Sequence, residues 1–335
     1  MSVTLADILA ARQRIAGVAV RTPLVPSPNL SRISGTDFLM KLETTQPIGA
    51  FKLRGALNAV AGVAEGAPGV TCCSTGNHGR GVAYAAKARG LPAVVCMSSL
   101  VPQAKVNGIR ALGAEVRIVG RSQDDAHRES LRLVRDDGLT EIPPFDDPLV
   151  IAGQGTIGLE LLEDRPDLAA ILVPLSGGGL AAGIALAAKA IKPTIRVIGI
   201  TMDRGAAMAL SVRAGTPVDV EEVASLADSL GGGIGRDNKL TLSICRDLLD
   251  DYALVTEQEI YDAMQTLYFE DGLVAEGASV VGLAAVMAGK VSAGSGPTAT
   301  ILTGRNVDMA TFTDVVSGRG VTLGDVELKG HAYGA

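Results

Sequence analysis

The chain has 335 residues, 47% of them hydrophobic, and a formal net charge of -6. That length suits one large or two modest domains. No apolar run approaches the ~18 residues of a membrane span, the opening MSVTLADILAARQRIAG lacks the order of a secretory leader, and without a long basic cluster nucleic acid and anionic membranes are poor partners.

Short apolar runs alternate with amphipathic, alanine-rich stretches. In chain order the pattern predicts helix over 5–15, strand over 38–42, helix over 52–63, strand over 70–74, helix over 81–89, and strands over 93–97, 115–119 and 170–175. Helix over 180–191 and strands over 196–201, 252–255 and 298–303 follow. Continuously apolar strands separated by helices argue for an α/β protein with parallel sheets covered on both faces. Two sheets fit the count better than one. Residues 1–67 with 147–318 are expected to form a large domain, 68–146 a small one, and 319–335 a loose tail. In such folds a ligand binds in the cleft, at the carboxyl ends of strands.

Cys72, Cys73, Cys96 and Cys245 lack metal-site spacing and read as small buried hydrophobes of a reducing cytoplasm. His78, His127 and His331 are too few to make a His-based metal site or a Ser-His-Asp hydrolase a good expectation.

Three segments can carry chemistry. Lys52 lies between Phe51 and Leu53 at the start of an apolar helix. Desolvation lowers a lysine pKa and frees an amine for Schiff-base chemistry, whereas a snorkelling lysine would do nothing of the kind. Ser74-Thr75-Gly76-Asn77-His78-Gly79 gathers hydroxyls, an amide and backbone N–H groups at a helix start. That suits a carboxylate, or equally a plain capping turn. Ser176-Gly177-Gly178-Gly179-Leu180 joins a strand to a helix and can cradle a phosphate. The same loop formally fits a dinucleotide fingerprint, with Asp203 after the next strand, so a nicotinamide-dependent oxidoreductase stays open at this point.

Together these loops resemble the threonine dehydratase and serine racemase family of fold-type-II pyridoxal-phosphate enzymes. The likeness runs from Arg21-Thr22-Pro23-Leu24 to Asn306-Val307-Asp308. It includes Phe51-Lys52-Leu53-Arg54-Gly55-Ala56, Gly76-Asn77-His78-Gly79, Pro144-Phe145-Asp146-Asp147-Pro148 and Ala152-Gly153-Gln154-Gly155-Thr156. The resemblance implies a tryptophan synthase β-like fold with pyridoxal 5'-phosphate in the interdomain cleft, and a homodimer or higher homo-oligomer. It implies that Lys52 forms the Schiff base, Phe51 packs beside the ring and Asn77 bonds the ring hydroxyl. Ser176, Gly177, Gly178, Gly179 and Leu180 would wrap the phosphate, and Thr303 would face the ring nitrogen. Ser74, Thr75, Gly76 and His78 would hold the carboxylate of a small amino-acid substrate. A hydroxyl at Thr303 makes a weaker electron sink than a carboxylate there, which favours β-elimination. The implied activity is dehydration of a β-hydroxy amino acid to an oxo acid and ammonia, with Lys52 as the base. Racemisation on the same scaffold is the alternative.

The chain also departs from the family pattern. Ile48-Gly49-Ala50 replaces Thr-Gly-Ser, and Ser176 replaces a first glycine. Thr75 stands where racemases carry a serine that acts as second base. Thr201 and Ala207 stand where the racemase branch binds a divalent metal, so no metal is expected. Arg305 replaces a glycine beside the cofactor, and is expected to reach the cleft and read a polar or anionic group of the substrate. Residues 201–207, 227–233 and 303–306 resemble those of hydroxyectoine utilisation dehydratases, which would make the substrate a hydroxylated diamino acid.

Overall fold

The computed structural model describes residues 2–334 except 75, 102 and 292–295. Its strands, in chain order, are β1 (Leu24–Pro26), β2 (Phe38–Leu42), β3 (Val70–Cys73), β4 (Ala93–Met97), β5 (Glu115–Ile118) and β6 (Thr140–Glu141). There follow β7 (Ala170–Pro174), β8 (Arg196–Met202), β9 (Asp251–Val255), β10 (Thr298–Leu302), β11 (Val321–Leu323) and β12 (Val326–Leu328). Six form one sheet in the order β1-β2-β10-β7-β8-β9, and four form another in the order β5-β4-β3-β6. All pairings in these two sheets are parallel except β1 with β2. The interior strands β7 and β10 are buried at every position, as expected where helices cover both faces.

The strands expected from the sequence appear within a residue at each end. β1 and β6 carry no such signal, being two or three residues long at sheet edges. The stretch expected to be a loose tail instead forms the antiparallel hairpin β11–β12. It is tied down by Tyr261, whose hydroxyl donates to the Arg319 carbonyl, and by Gln265, whose amide donates to the His331 carbonyl. Leu328 is buried beneath it. A hairpin this short gives too few alternations to stand out as periodicity.

Among the described residues no helix is long and apolar enough to cross a membrane. The helix Lys52–Ala61 was expected to join the unit that begins near 148. In fact Leu53, Ala56 and Leu57 share a core with β3 and β4. On its other side Arg54 reaches the helix Pro148–Asp164, so this helix lies between the two sheets. Arg54 is almost fully buried and forks between Glu43, at 2.8 Å, and Glu160, at 2.6 Å. Lys41, on fully buried β2, binds the second Glu160 oxygen at 2.8 Å. These side chains are buried as compensated charge, and together they fix the first turn of the helix that carries Lys52.

Candidate active site

The carboxyl ends of β3 and β7 open onto one cleft of about 660 Å³ between the sheets. Its walls include Phe51, Lys52, Ser74, Gly76, Asn77, His78, Ser176, Gly177, Gly178, Gly179, Leu180 and Thr303. Segments far apart in the chain are thus brought to a single place. Thr75 lies outside the described residues. A second hollow, beside β1, is of similar size, but Arg21 and Arg165 on its wall are each paired with carboxylates.

Lys52 begins its helix with its Nζ donating to the Pro144 carbonyl at 2.7 Å. Burial lowers the amine to about 8, so a useful fraction is neutral near physiological pH. The Phe51 ring lies beside it, with Nζ 5.4 Å from the ring centroid.

The glycine loop opens the helix Gly179–Ile191. Gly178, its N-cap, has φ +88 and no side chain caps the first turn. A Cβ at Gly177 would overlap the Phe145 ring, so only glycine leaves the loop this close to the crossover segment. A second helix, Thr241–Leu248, also starts nearby, but its N–H groups are taken. The Asp146 carboxylate accepts from Lys239, Leu240 and Thr241 at 2.7, 2.9 and 2.8 Å. Of the two helix starts, only the one at Gly178 is left without a side-chain cap for an anion.

His78 donates from Nε2 to the Ile142 carbonyl at 2.8 Å. Burial first, and the Lys52 charge second, push its pKa down to about 3 against that bond, so the ring is neutral. Thr303 is buried, with its hydroxyl 2.9 Å from Ser279 Oγ, which also donates to the Gly304 carbonyl.

Asn77 donates to Glu276 at 2.8 and 3.2 Å and accepts from Asn306 at 2.6 Å. Burial, with a contribution from Asp228, raises the Glu276 carboxyl to about 7, while the Asn77 bond and Lys105 hold it down. Glu276, Ser279 and Asn306 were not assigned from the sequence. They are isolated polar residues whose roles arise only from tertiary contact. Nearer the mouth, Lys105 stands 3.6 Å from Asp228, and His127 3.3 Å from Glu141.

Arg305 is not brought to the cleft wall. The bridge between Ala50 and Gly304, with the Arg305 N–H bonded to the Gly49 carbonyl, leaves its side chain exposed over Gly49. The neighbouring Asn306 turns toward Asn77 instead. Thr201 and Ala207 are both buried, and among the described residues no cluster of His, Cys, Asp and Glu is placed to hold a metal ion.

These residues fit pyridoxal phosphate: a buried amine of lowered basicity, an uncapped glycine cradle for the phosphate, and a hydroxyl at Thr303 on the same wall. Comparison with known proteins agrees. The model of the family described as pyridoxal-phosphate dependent enzyme matches residues 15–304. A protein of Sinorhizobium fredii, whose name places it provisionally among threonine dehydratases, is 53% identical over 319 residues, covering 95% of this chain and 96% of that one. The catabolic L-threonine dehydratase of Escherichia coli K12 is 38% identical over 319 residues, covering 94% and 96%. The structure of maize serine racemase superposes with a TM-score of 0.89 at 34% identity, covering 95% of this chain and 98% of that one.

Proposed function

The chain belongs to the pyridoxal-phosphate dependent enzymes, in the threonine dehydratase and serine racemase family, and from that premise we propose that it eliminates water from a β-hydroxy amino acid to give an oxo acid and ammonia. The observation that carries this reading is the Lys52 amine, lowered to about 8 in a cleft that also holds the glycine cradle and Thr303.

Bound pyridoxal phosphate supplies the electron sink for bond breaking at Cα. The backbone N–H groups of Ser176 to Leu180 would hold its phosphate at the start of their helix, and Phe51 would pack beside its ring. Thr303 would offer a hydroxyl to the ring nitrogen, and Asn77 would hydrogen-bond the ring hydroxyl. Ser74, Thr75, Gly76 and His78 would offer donors to the substrate carboxylate, with His78 acting as a neutral ring. Lys52, whose lowered pKa leaves a neutral fraction at physiological pH, would take the α-proton as base.

A finer reading concerns the substrate. On the cleft wall Asp228 faces Lys105 and Glu141 faces His127, which leaves Asp124 and Glu222 as acids without an ion-pair partner among the described residues. That balance supports a substrate with a second amine, such as the hydroxylated diamino acid suggested by residues 201–207 and 227–233. We also infer a cytoplasmic enzyme, supported by four free cysteines, and, from the family resemblance, a homo-oligomer.

Borohydride reduction of the holoenzyme followed by peptide mapping tests the anchor. Absence of a pyridoxyl adduct on Lys52 sinks the reading. A panel of serine, threonine and hydroxylated diamino acids, scored for oxo acid and ammonia, tests the substrate. Loss of optical rotation without ammonia would point to racemisation instead.

A further inference from the structure

The proposed task of Asn77 is to offer an N–H to the ring hydroxyl. A side-chain amide can equally present its oxygen, and the two orientations occupy almost the same space. Something must choose between them. Asn306 Nδ2 lies 2.9 Å from the Ile48 carbonyl and 2.6 Å from Asn77 Oδ1. A backbone carbonyl can only accept, so Asn306 must turn its NH₂ toward Ile48. The second proton of that NH₂ then goes to Asn77, which fixes the Asn77 oxygen there. The Asn77 NH₂ is left against Glu276, at 2.8 and 3.2 Å. The Asn77 NH₂ can only donate, so the facing Glu276 oxygens accept whether or not the carboxyl carries its proton, and the sense of the relay is set from the Ile48 end. The two oxygens of one carboxyl lie too close together to meet both diverging N–H bonds squarely, so at 2.8 and 3.2 Å they share one Asn77 N–H and one remains.

We infer that Asn306 and Glu276 are positioning residues that lock the Asn77 amide with its remaining N–H toward the cleft. The hydrogen bonds run from an obligate acceptor, Ile48, through Asn306 and Asn77 to Glu276. This rests on the proposed assignment of Asn77 to the cofactor ring. Glu276 is 5% exposed, and among the described residues its carboxyl has no other side-chain hydrogen-bond partner. Its neighbour Gly304 leaves the room, since a Cβ there would overlap Glu276 Oε1 and stand 3.2 Å from Asn77 Nδ2. The relay also crosses between the two sheets. Asn77 opens the helix after β3, whereas Asn306 follows β10 of the other sheet.

The test is a double-mutant cycle on cofactor affinity. Apoprotein is titrated with pyridoxal phosphate by calorimetry for the native chain, Asn77→Ala, Asn306→Asp, Glu276→Leu, and each of the last two combined with Asn77→Ala. Asn306→Asp and Glu276→Leu should each weaken binding about tenfold, the worth of one oriented hydrogen bond. Neither should weaken it further once Asn77 is alanine. Glu276→Gln retains an acceptor oxygen and should bind within about twofold of the native chain, a rescue that a purely structural role does not predict. Native affinity in Asn306→Asp and Glu276→Leu, or losses that add in full to that of Asn77→Ala, overturns the inference. Asn306→Asp and Glu276→Gln are near-isosteric, so the cycle still decides if Glu276→Leu fails to fold. A missing Lys52 adduct in the native holoenzyme would instead overturn the underlying functional reading.

Discussion

Lys52→Met in the cofactor-free protein should raise stability at pH 7. Burial lowers the amine from 10.5 to about 8, and desolvation is the sole cause. The folded pKa therefore lies below the unfolded one, and the unfolded chain binds the proton more readily. Wild-type stability should thus rise as pH climbs from about 8 to 10.5, and the cost of the charged amine is fully present below 8. The difference, 10.5 minus 8, is 2.5 pH units. At ~1.4 kcal/mol per unit the ceiling is about 3.5 kcal/mol, less some screening because the side chain is only partly buried. Methionine matches the stem without the charge. It also leaves the Pro144 carbonyl unpaired, which costs ~1–2 kcal/mol. The net expectation is a variant more stable by about 1–2 kcal/mol at pH 7, with the gap closing toward pH 10. Urea unfolding followed by far-ultraviolet circular dichroism at pH 7 and 10 measures both quantities. A variant less stable than wild type at pH 7, or a gap that does not change with pH, would refute the reasoning.

Other substitutions probe other parts of the site. His78 has a folded pKa of about 3, below its ordinary 6.5, so it contributes a loss of stability as pH falls from 6.5 toward 3. His78→Gln should flatten the acid side of a melting-temperature profile, and an unchanged profile would contradict this. Gly177→Ala drives a methyl into the Phe145 ring, and should cost ~1–3 kcal/mol in thermal unfolding and weaken cofactor binding in titration. Arg54→Met leaves Glu43 and Glu160 buried with Lys41 as their remaining cation in the network, and should cost ~3–5 kcal/mol in urea unfolding. A loss below about 1 kcal/mol would show that the network is not compensated as described.

The legible parts of the fold are those where burial writes itself into composition. β7 is apolar on both faces, β10 is mostly so apart from the buried Thr298 and Thr300, and Gly177 to Gly179 announce a close backbone approach. The edge strand β1 ends in proline and the hairpin β11–β12 is short, so neither shows a period. The helix after β3 begins at Asn77, four residues before the expected start, because no capping side chain marks its end. Within the site, Lys52 and the residues of two loops, 74–79 and 176–180, are visible because their neighbours are unusual. Glu276 and Ser279 are not, since each gains its role only when β10 delivers Thr303 and Gly304 beside it. Arg305 drew attention as a large residue in place of a small one, but the pairing of Gly304 with Ala50 turned the next side chain outward.

The position of β10 carries a kinetic consequence. Thr298 pairs on one side with Phe38 and on the other with Ala170, so a strand late in the chain fills the middle of a sheet begun near the start. Insertion of β10 between β2 and β7 is a long-range closure, and any chain that folds the flanking strands first would expose their unpaired backbone edges. Thr303 and Gly304 follow β10 directly, so the cleft wall is completed in the same event. Recovery of cofactor binding during refolding therefore reports on insertion of the central strand, and chaperone dependence should be greatest just before it.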